Sequence, residues 1–406
     1  MSNTACLSHA MRIQAVASEW PLLKEVVKIK FIVLITQECN MACSYCYIPK
    51  RAAKMTLETA EEVVDFIFRH ANKNETHQIG FFGGEPLLEF DFMKKIVELV
   101  EQHASFNEFQ IEFSVTTNGT VFTDDIAEFL IKHNILFCVS CDGNAPTQNV
   151  SRRFKNGTST AGIVEATLQQ ALLKMPVLVN AVYSPETLLQ LPDTIRHFMS
   201  FGLRQIYITE DSSAQWRDED VERLEAALGE VADIYMEAYR KKQPVFINVI
   251  DEKIATILRG GFFPLEKCHM GKRKFAFSPE GNIFRCDRLV YDGNPDSPHC
   301  MGNVKTGIDP SKMSCKINET DTINSECLTC SIEKYCMHWC GCTNFQSTGY
   351  YNRAGAFLCA KERTAIKIAL HVLKTLEADV PTTFVHHQTG LLPVNAWSWR
   401  ESISKS

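Results

Sequence analysis

From residue 28 to about 240 the chain alternates short apolar runs with longer amphipathic stretches. The runs are "KIKFIVLIT" (28–36), "QIGFFGG" (78–84), "QIEFSVTTNG" (110–119), "LFCVSCDG" (136–143), "PVLVNAVY" (176–183) and "QIYITE" (205–210). Their length, β-branched and aromatic content and flanking turn residues are those of buried strands. Between them lie "TLETAEEVVDFIFRHAN", "EFDFMKKIVELVEQHA", "TDDIAEFLIKHN", "AGIVEATLQQALLK" and "LLQLPDTIRHFMSFG", with apolar residues near i, i+3, i+4 and i+7, the helix period. Thr56 and Thr123 stand where N-caps belong, each followed by an acidic first turn. Strand–helix units in succession predict a parallel sheet with right-handed crossovers. Six units fall short of a closed eight-unit barrel, so the expected fold is α/β, a partial (β/α)6 TIM-type barrel over 28–240. Chemistry then belongs at the C-terminal ends of the strands. The unusual residues stand there: Cys39, Gly83-Gly84-Glu85-Pro86, Asn118-Gly119 and Asp142-Gly143.

A long helix is expected over 218–241, then a bridge over 241–262. Beyond about 260 the texture changes: cysteines crowd, strands shorten ("KFAFSPEGNIFRCDRL") and turn residues multiply. This predicts a small cysteine-rich second domain over 263–378, closed by a helix at 360–378. Residues 1–27 read as a lead-in and 379–406 as a surface tail.

Composition narrows the function. The formal net charge of −6 gives no electrostatic ground for nucleic-acid binding, and "GKRK" (271–274) and "RKKQ" (240–243) read as solvated faces or local anion contacts. No stretch approaches the roughly 20 apolar residues that span a bilayer, so no membrane partner is expected. No basic n-region precedes an apolar h-region, which reads as a cytoplasmic, reducing setting. There, 16 cysteines point to metal rather than to disulfides.

"ECNMACSYCYIPK" (38–50) carries three of them, Cys39, Cys43 and Cys46, directly after the first strand. Structural zinc takes four ligands, and so normally does a [4Fe–4S] cluster. Three thiolates imply a distant fourth or an iron left open to a ligand that is not protein. "CNMACSYC", with Tyr45 before the last cysteine, resembles the signature of the radical S-adenosylmethionine (SAM) enzymes. The resemblance implies that SAM chelates the open iron through its amino and carboxylate groups and is cleaved to a 5′-deoxyadenosyl radical. It also implies cofactor contacts from Gly83, Gly84 and Glu85 in "FFGGEP", with Glu85 accepting from the SAM ammonium. Further contacts follow from Asn118 in "TTNG", Ser140 and Asp142 in "SCDG", and Arg152 (or Arg153) in "SRRFKNG". Asn180 is a weaker candidate, as often a satisfied core group.

The C-terminal cysteines hold a second pattern: Cys268, then Gly281 and Cys286, then "CLTCSIEKYCMHWC" (327–340), then Cys359. It resembles the SPASM domain of peptide- and protein-modifying radical SAM enzymes; a zinc ribbon fits the spacing less well. The resemblance implies two auxiliary [4Fe–4S] clusters, three in all. Cys327, Cys330, Cys336 and Cys359 would hold the outer one, and Cys268, Cys286 and Cys340 the inner one. Sulfatase-maturing relatives have a further cysteine where this chain has Phe262. The inner cluster is therefore open at one iron, or closed by Cys300, Cys315 or Cys342. Cys6, Cys138 and Cys141 read as small buried residues. Asp287, after Cys286, is the candidate catalytic base, or else a partner of Arg285 or Arg288.

The function so implied is a peptide maturase. It abstracts hydrogen from a ribosomally made precursor peptide and forms a cross-link, a thioether before a carbon–carbon bond. A flavodoxin- or ferredoxin-type donor would reduce it. Residues 1–27 are too short for a leader-binding domain, so leader binding is expected to use the barrel, the tail or a separate leader-binding protein. Two other readings stand beside it: an anaerobic sulfatase-maturing enzyme making formylglycine from Cys or Ser, and a non-catalytic iron–sulfur scaffold.

Overall fold

A computed structural model describes residues 28–264, 267–314 and 325–379. The lead-in, the tail beyond 379, Cys6 and Cys315 lie outside them. Strands β1 (Lys28–Thr36), β2 (Thr76–Gly83), β3 (Gln110–Thr117), β4 (Ile135–Ser140), β5 (Val177–Tyr183) and β6 (Gln205–Glu210) run parallel in that order. Helices α1 (Leu57–His70), α2 (Phe90–Gln102), α3 (Asp124–Lys132), α4 (Ala145–Ser151), α5 (Ala161–Leu172) and α6 (Leu191–Ser200) connect them. The fold is the expected α/β parallel sheet. The two threonine caps form: Thr56 accepts from Thr59 N and Thr123 from Ile126 N.

Strand periodicity sorts the side chains into two faces. Phe31, Val33 and Ile35 of β1, Ile79 and Phe81 of β2, and Phe113 and Val115 of β3 are buried in the main core under the helices. Their alternates, among them Lys30, Ile32, Gln78, Phe82, Ser114 and Thr116, line a cavity inside the curved sheet. Cys138, expected as a core residue, also faces that cavity, since it alternates with Phe137 and Val139.

Two findings refine the sequence reading. The bridge holds a seventh parallel strand, β7 (Phe246–Ile247), beyond α7 (Asp218–Arg240), and a helix, α8 (Asn248–Leu258). The cysteine-rich region is also continuous with the barrel sheet. β8 (Lys274–Phe277) pairs parallel with β1, and β9 (Asn282–Phe284), β10 (Cys300–Asn303) and β11 (Gly307–Ile308) extend it antiparallel. An incomplete barrel leaves β1 with an edge of unpaired N–H and C=O groups. β8 covers that edge, with Phe275 stacked on Phe31 at 5.7 Å between ring centroids. A short helix α9 (Pro310–Ser314), then α10 (Gly341–Thr348) and α11 (Ala356–Asp379) complete the described region. α11 buries Ile366, Ala369, Val372, Leu373 and Leu376 and packs against α7 and α8.

Candidate active site

The three-cysteine loop leaves the C-terminal end of β1 and is fastened by backbone hydrogen bonds on every side. Gln37 N donates to Ala53 O (2.9 Å), Ala42 N to Arg153 O (2.9 Å) and Ser44 N to Ser151 O (3.0 Å). From the end of β2, Gly84 N donates to Thr36 O and Glu85 N to Glu38 O, both at 2.8 Å. This approach needs glycine. A Cβ on Gly84 would lie 1.9 Å from Glu38 O, and one on Gly83, at φ +136°, 2.2 Å from Thr36 O.

Cys39, Cys43 and Cys46 open onto one cavity of about 810 Å³. Tyr45, Gly83, Gly84, Asn118, Ser140, Arg152 and Asp287 line the same cavity, as does Asn180. Glu85 and Asp142 do not. The Glu85 carboxylate is buried against the protein itself: it accepts from Thr117 Oγ1 (2.7 Å), Asn118 N (2.6 Å) and Leu87 N (3.0 Å). It ties the ends of β2 and β3 together rather than facing a ligand. Asp142 accepts from Tyr45 Oη at 2.8 Å and from Val182 N at 3.0 Å. Burial pushes its pKa up to about 6, against the pull of Arg152. Arg152 in turn donates to Tyr45 Oη at 2.7 Å. Asn118 donates to Asn40 Oδ1 (2.8 Å) and lies 3.6 Å from Cys39 Sγ. Arg153, the other arginine considered, turns to Asn149 O and Gly157 O at the surface.

On the opposite wall Asp287 pairs with Lys274 at 2.6 Å, with Arg288 within electrostatic reach, and Tyr47 Oη donates to it at 3.1 Å. Burial opposes the Asp287 anion, but Lys274 outweighs it and holds the carboxyl down at about 2. Arg288 reaches Ser212 Oγ (3.1 Å) and Arg285 donates to Lys312 O (2.7 Å). Sequence reasoning did not single out Lys274, Tyr47 or Lys50, whose Nζ lies 2.8 Å from Cys46 Sγ. Lys274 is the last residue of "GKRK", so that run resolves into a local anion contact, and Arg273 beside it pairs with Glu75 at 3.1 Å.

In the cysteine-rich region Cys268, Cys286, Cys340 and Cys342 share one buried cluster with Met270 and Leu289. Cys340 Sγ and Cys342 Sγ are 3.7 Å apart. Phe262 sets its ring edge-on to Trp339 at 5.2 Å. Cys300 belongs to a separate apolar cluster with Leu34, Ile48 and Phe284. Cys141 is buried with its thiol on Gly143 O, and burial pushes its pKa up to about 12. Among the described residues no three His, Cys, Asp or Glu side chains are drawn together tightly enough to hold a single metal ion. Sulfurs gripping the corners of a cube stand wider apart than those around one ion.

The residues at the barrel mouth fit an iron–sulfur cluster with an anionic partner. Three cysteines face one space, and the buried Arg152 guanidinium beside them leaves Nε without a hydrogen-bond acceptor. An unpaired buried cation donor is costly unless a ligand supplies the acceptor.

Residues 33–228 match the model of the Radical SAM superfamily. This chain carries a radical SAM domain. Such a domain is built for SAM and a [4Fe–4S] cluster. An uncharacterised protein of Methanocaldococcus jannaschii is 28% identical over 284 residues, covering 67% of this chain and 87% of its own. The cysteine-type anaerobic sulfatase-maturating enzyme of Clostridium perfringens is 24% identical over 325 residues, covering 74% and 85%. The chain also shares its fold with the solved structure of native anSMEcpe with bound AdoMet and the Cp18Cys peptide. There the TM-score is 0.72 at 19% identity, over 87% of this chain and 99% of that one. The chain thus resembles the sulfatase-maturating enzymes in sequence and shares their fold. Among the described residues no helix is long and apolar enough to cross a membrane.

Proposed function

We propose that this enzyme is a peptide maturase, removing hydrogen from a carbon of a ribosomally made precursor peptide and cross-linking the peptide there. The observation that carries the reading is the single cavity shared by the cysteine loop and the Asp287 wall. Its 810 Å³ lies in the upper part of the ordinary ligand-pocket range, about 300–1,000 Å³, which leaves room for a substrate segment beside the cofactor. The fold relative that holds AdoMet together with a peptide supports the same occupancy.

On this reading Cys39, Cys43 and Cys46 hold the catalytic cluster, with Arg152 toward the SAM carboxylate and Tyr45, Gly83, Gly84, Asn118 and Ser140 around it. When bound, the pair supplies a 5′-deoxyadenosyl radical, able to take hydrogen from an unactivated carbon. Glu85 and Asp142 act behind the cavity wall, as positioning residues for Asn118 and Tyr45. Residues 28–240 are the barrel, 241–262 its bridge and 263–378 a SPASM domain with two auxiliary clusters. Cys327, Cys330, Cys336 and Cys359 hold the outer one; Cys268, Cys286 and Cys340 belong to the inner one. A flavodoxin- or ferredoxin-type donor and a separate leader-binding protein complete the system. Asp287 is the carboxylate proposed to receive a substrate proton, for which its ion pair with Lys274 must first open, since that pair holds its pKa down at about 2.

That last geometry favours a second reading, formylglycine formation from Cys or Ser, and one experiment separates the two. The reduced enzyme is given SAM and the peptides encoded beside its gene, or sulfatase-derived Cys and Ser peptides, and the products are sequenced by mass spectrometry. A peptide that loses hydrogen and shows a new internal bond supports the maturase. A product captured by a hydrazide probe is an aldehyde and supports formylglycine. SAM cleavage with every peptide unchanged overturns both.

A further inference from the structure

We infer that Cys342 is the fourth thiolate of the inner cysteine field, so that the cluster there is closed by Cys268, Cys286, Cys340 and Cys342. The inference rests on the auxiliary-cluster part of the reading above and changes its chemistry, because no iron is then left open to a substrate cysteine.

Geometry singles out Cys342. Its sulfur is 3.7 Å from Cys340 Sγ and packs beside Cys286; side-chain rotation widens that spacing for the two to grip separate corners of a cube. Cys268 lies within electrostatic reach of Cys286 and Cys340. Cys286 and Cys342 are buried in one cluster with the half-buried Cys268 and Cys340 packed against it, and Cys342 is 4% exposed. Local structure accounts for the pairing. Cys340 stands at the N-cap position of α10 and Cys342 is the second residue of that helix, so the first turn brings the two sulfurs together.

The other candidates are placed elsewhere. Phe262, standing where relatives carry a cysteine, presents a ring packed on Trp339. The Cys300 thiol donates to Gly302 O at 3.3 Å, inside its own apolar cluster. Cys315 lies outside the described residues.

A closed cluster removes the premise on which the thioether expectation stood. A substrate sulfur has no iron to bind, and the peptide need not contain cysteine.

The test uses the full chain carrying Cys39→Ala, Cys43→Ala and Cys46→Ala, reconstituted anaerobically, so that only the auxiliary field can hold iron. Iron is counted, and the reduced protein is treated with ¹³C-cyanide, which binds open irons and is read by electron–nuclear double resonance. The expected parent holds about eight irons, two four-iron clusters, and shows no ¹³C coupling. Adding Cys342→Ala should create the coupling or lose about half of that iron. Adding Cys342→Ser should keep the iron and shift the electron paramagnetic resonance spectrum. Adding Cys300→Ala, an equally buried control, should leave both readouts as in the parent. Coupling already present in the parent, or spectra unchanged by Cys342→Ala at full iron content, overturns Cys342 as ligand while the auxiliary clusters stand. A parent without iron overturns the auxiliary clusters, and this inference with them.

Discussion

Arg152 shows how much one side chain can carry. It is buried, it holds Tyr45 through one nitrogen and leaves another without an acceptor. A charge-assisted hydrogen bond is worth roughly 1.5–3 kcal/mol, so losing one to a ligand weakens binding about tenfold or more. Arg152→Met should therefore raise the Kd for SAM by about tenfold while the cluster's visible absorbance is unchanged. Arg152→Lys keeps the charge without the planar fork and should fall between. Equilibrium dialysis with labelled SAM on the reconstituted enzyme reads both; an unaltered Kd in the Met variant would remove Arg152 from the cofactor site.

Among the elements, α8 and α11 are joined by a buried ion pair. Lys253 Nζ lies 2.6 Å from Glu362 Oε2, and the two side chains also hold Tyr335 O (3.0 Å) and Met337 N (2.7 Å). The pair thus grips both sides of Cys336, a residue of the proposed outer cluster. Removing one partner of a buried pair costs about 3–5 kcal/mol, here an upper bound because Lys361 stays 3.9 Å from Glu362, whereas replacing both by apolar groups is often neutral. Lys253→Met should lower the unfolding midpoint and the iron content together. The double variant Lys253→Met/Glu362→Leu should recover most of the midpoint. Thermal unfolding followed by circular dichroism, with iron assays, checks the series; a single variant as stable as the parent would show the pair to be dispensable.

At the scale of the whole molecule the two cysteine fields differ in what holds them. The barrel-mouth loop is tied down by backbone bonds to β2 and to residues 151–153, so its shape does not depend on metal. The Cys39/Cys43/Cys46→Ala variant should keep its fold and auxiliary iron and form no 5′-deoxyadenosine. Residues 325–340 hold only turns and one short 3₁₀ segment, where ligand binding and folding are coupled. Cys330→Ser should therefore reduce soluble yield as well as activity. Chromatographic assay of 5′-deoxyadenosine and comparison of yields test the contrast; cleavage at the parental rate in the triple variant would end the assignment of the three cysteines.

The local code of the chain sufficed for a good deal. Apolar period and turn residues located the six barrel strands to within three residues at each end, because each strand must bury one face under helices. The spacing of Cys39, Cys43 and Cys46 pointed to the barrel mouth, because a short loop after β1 has nowhere else to go. Contacts across long stretches of chain were beyond that code. Whether Glu85 faces a ligand depended on where Thr117 and Asn118 arrive, 32 and 33 residues later. Lys274 and Asp287 became partners through the hairpin that starts where β8 joins β1. Cys342 looked like one spare thiol among three until the first turn of α10 set it beside Cys340 and Cys286. Side-chain type and spacing specify elements through local sterics and burial; which groups then share a charge, a hydrogen bond or a metal is decided by the packing of elements against one another, where direction and distance take over from order in the chain.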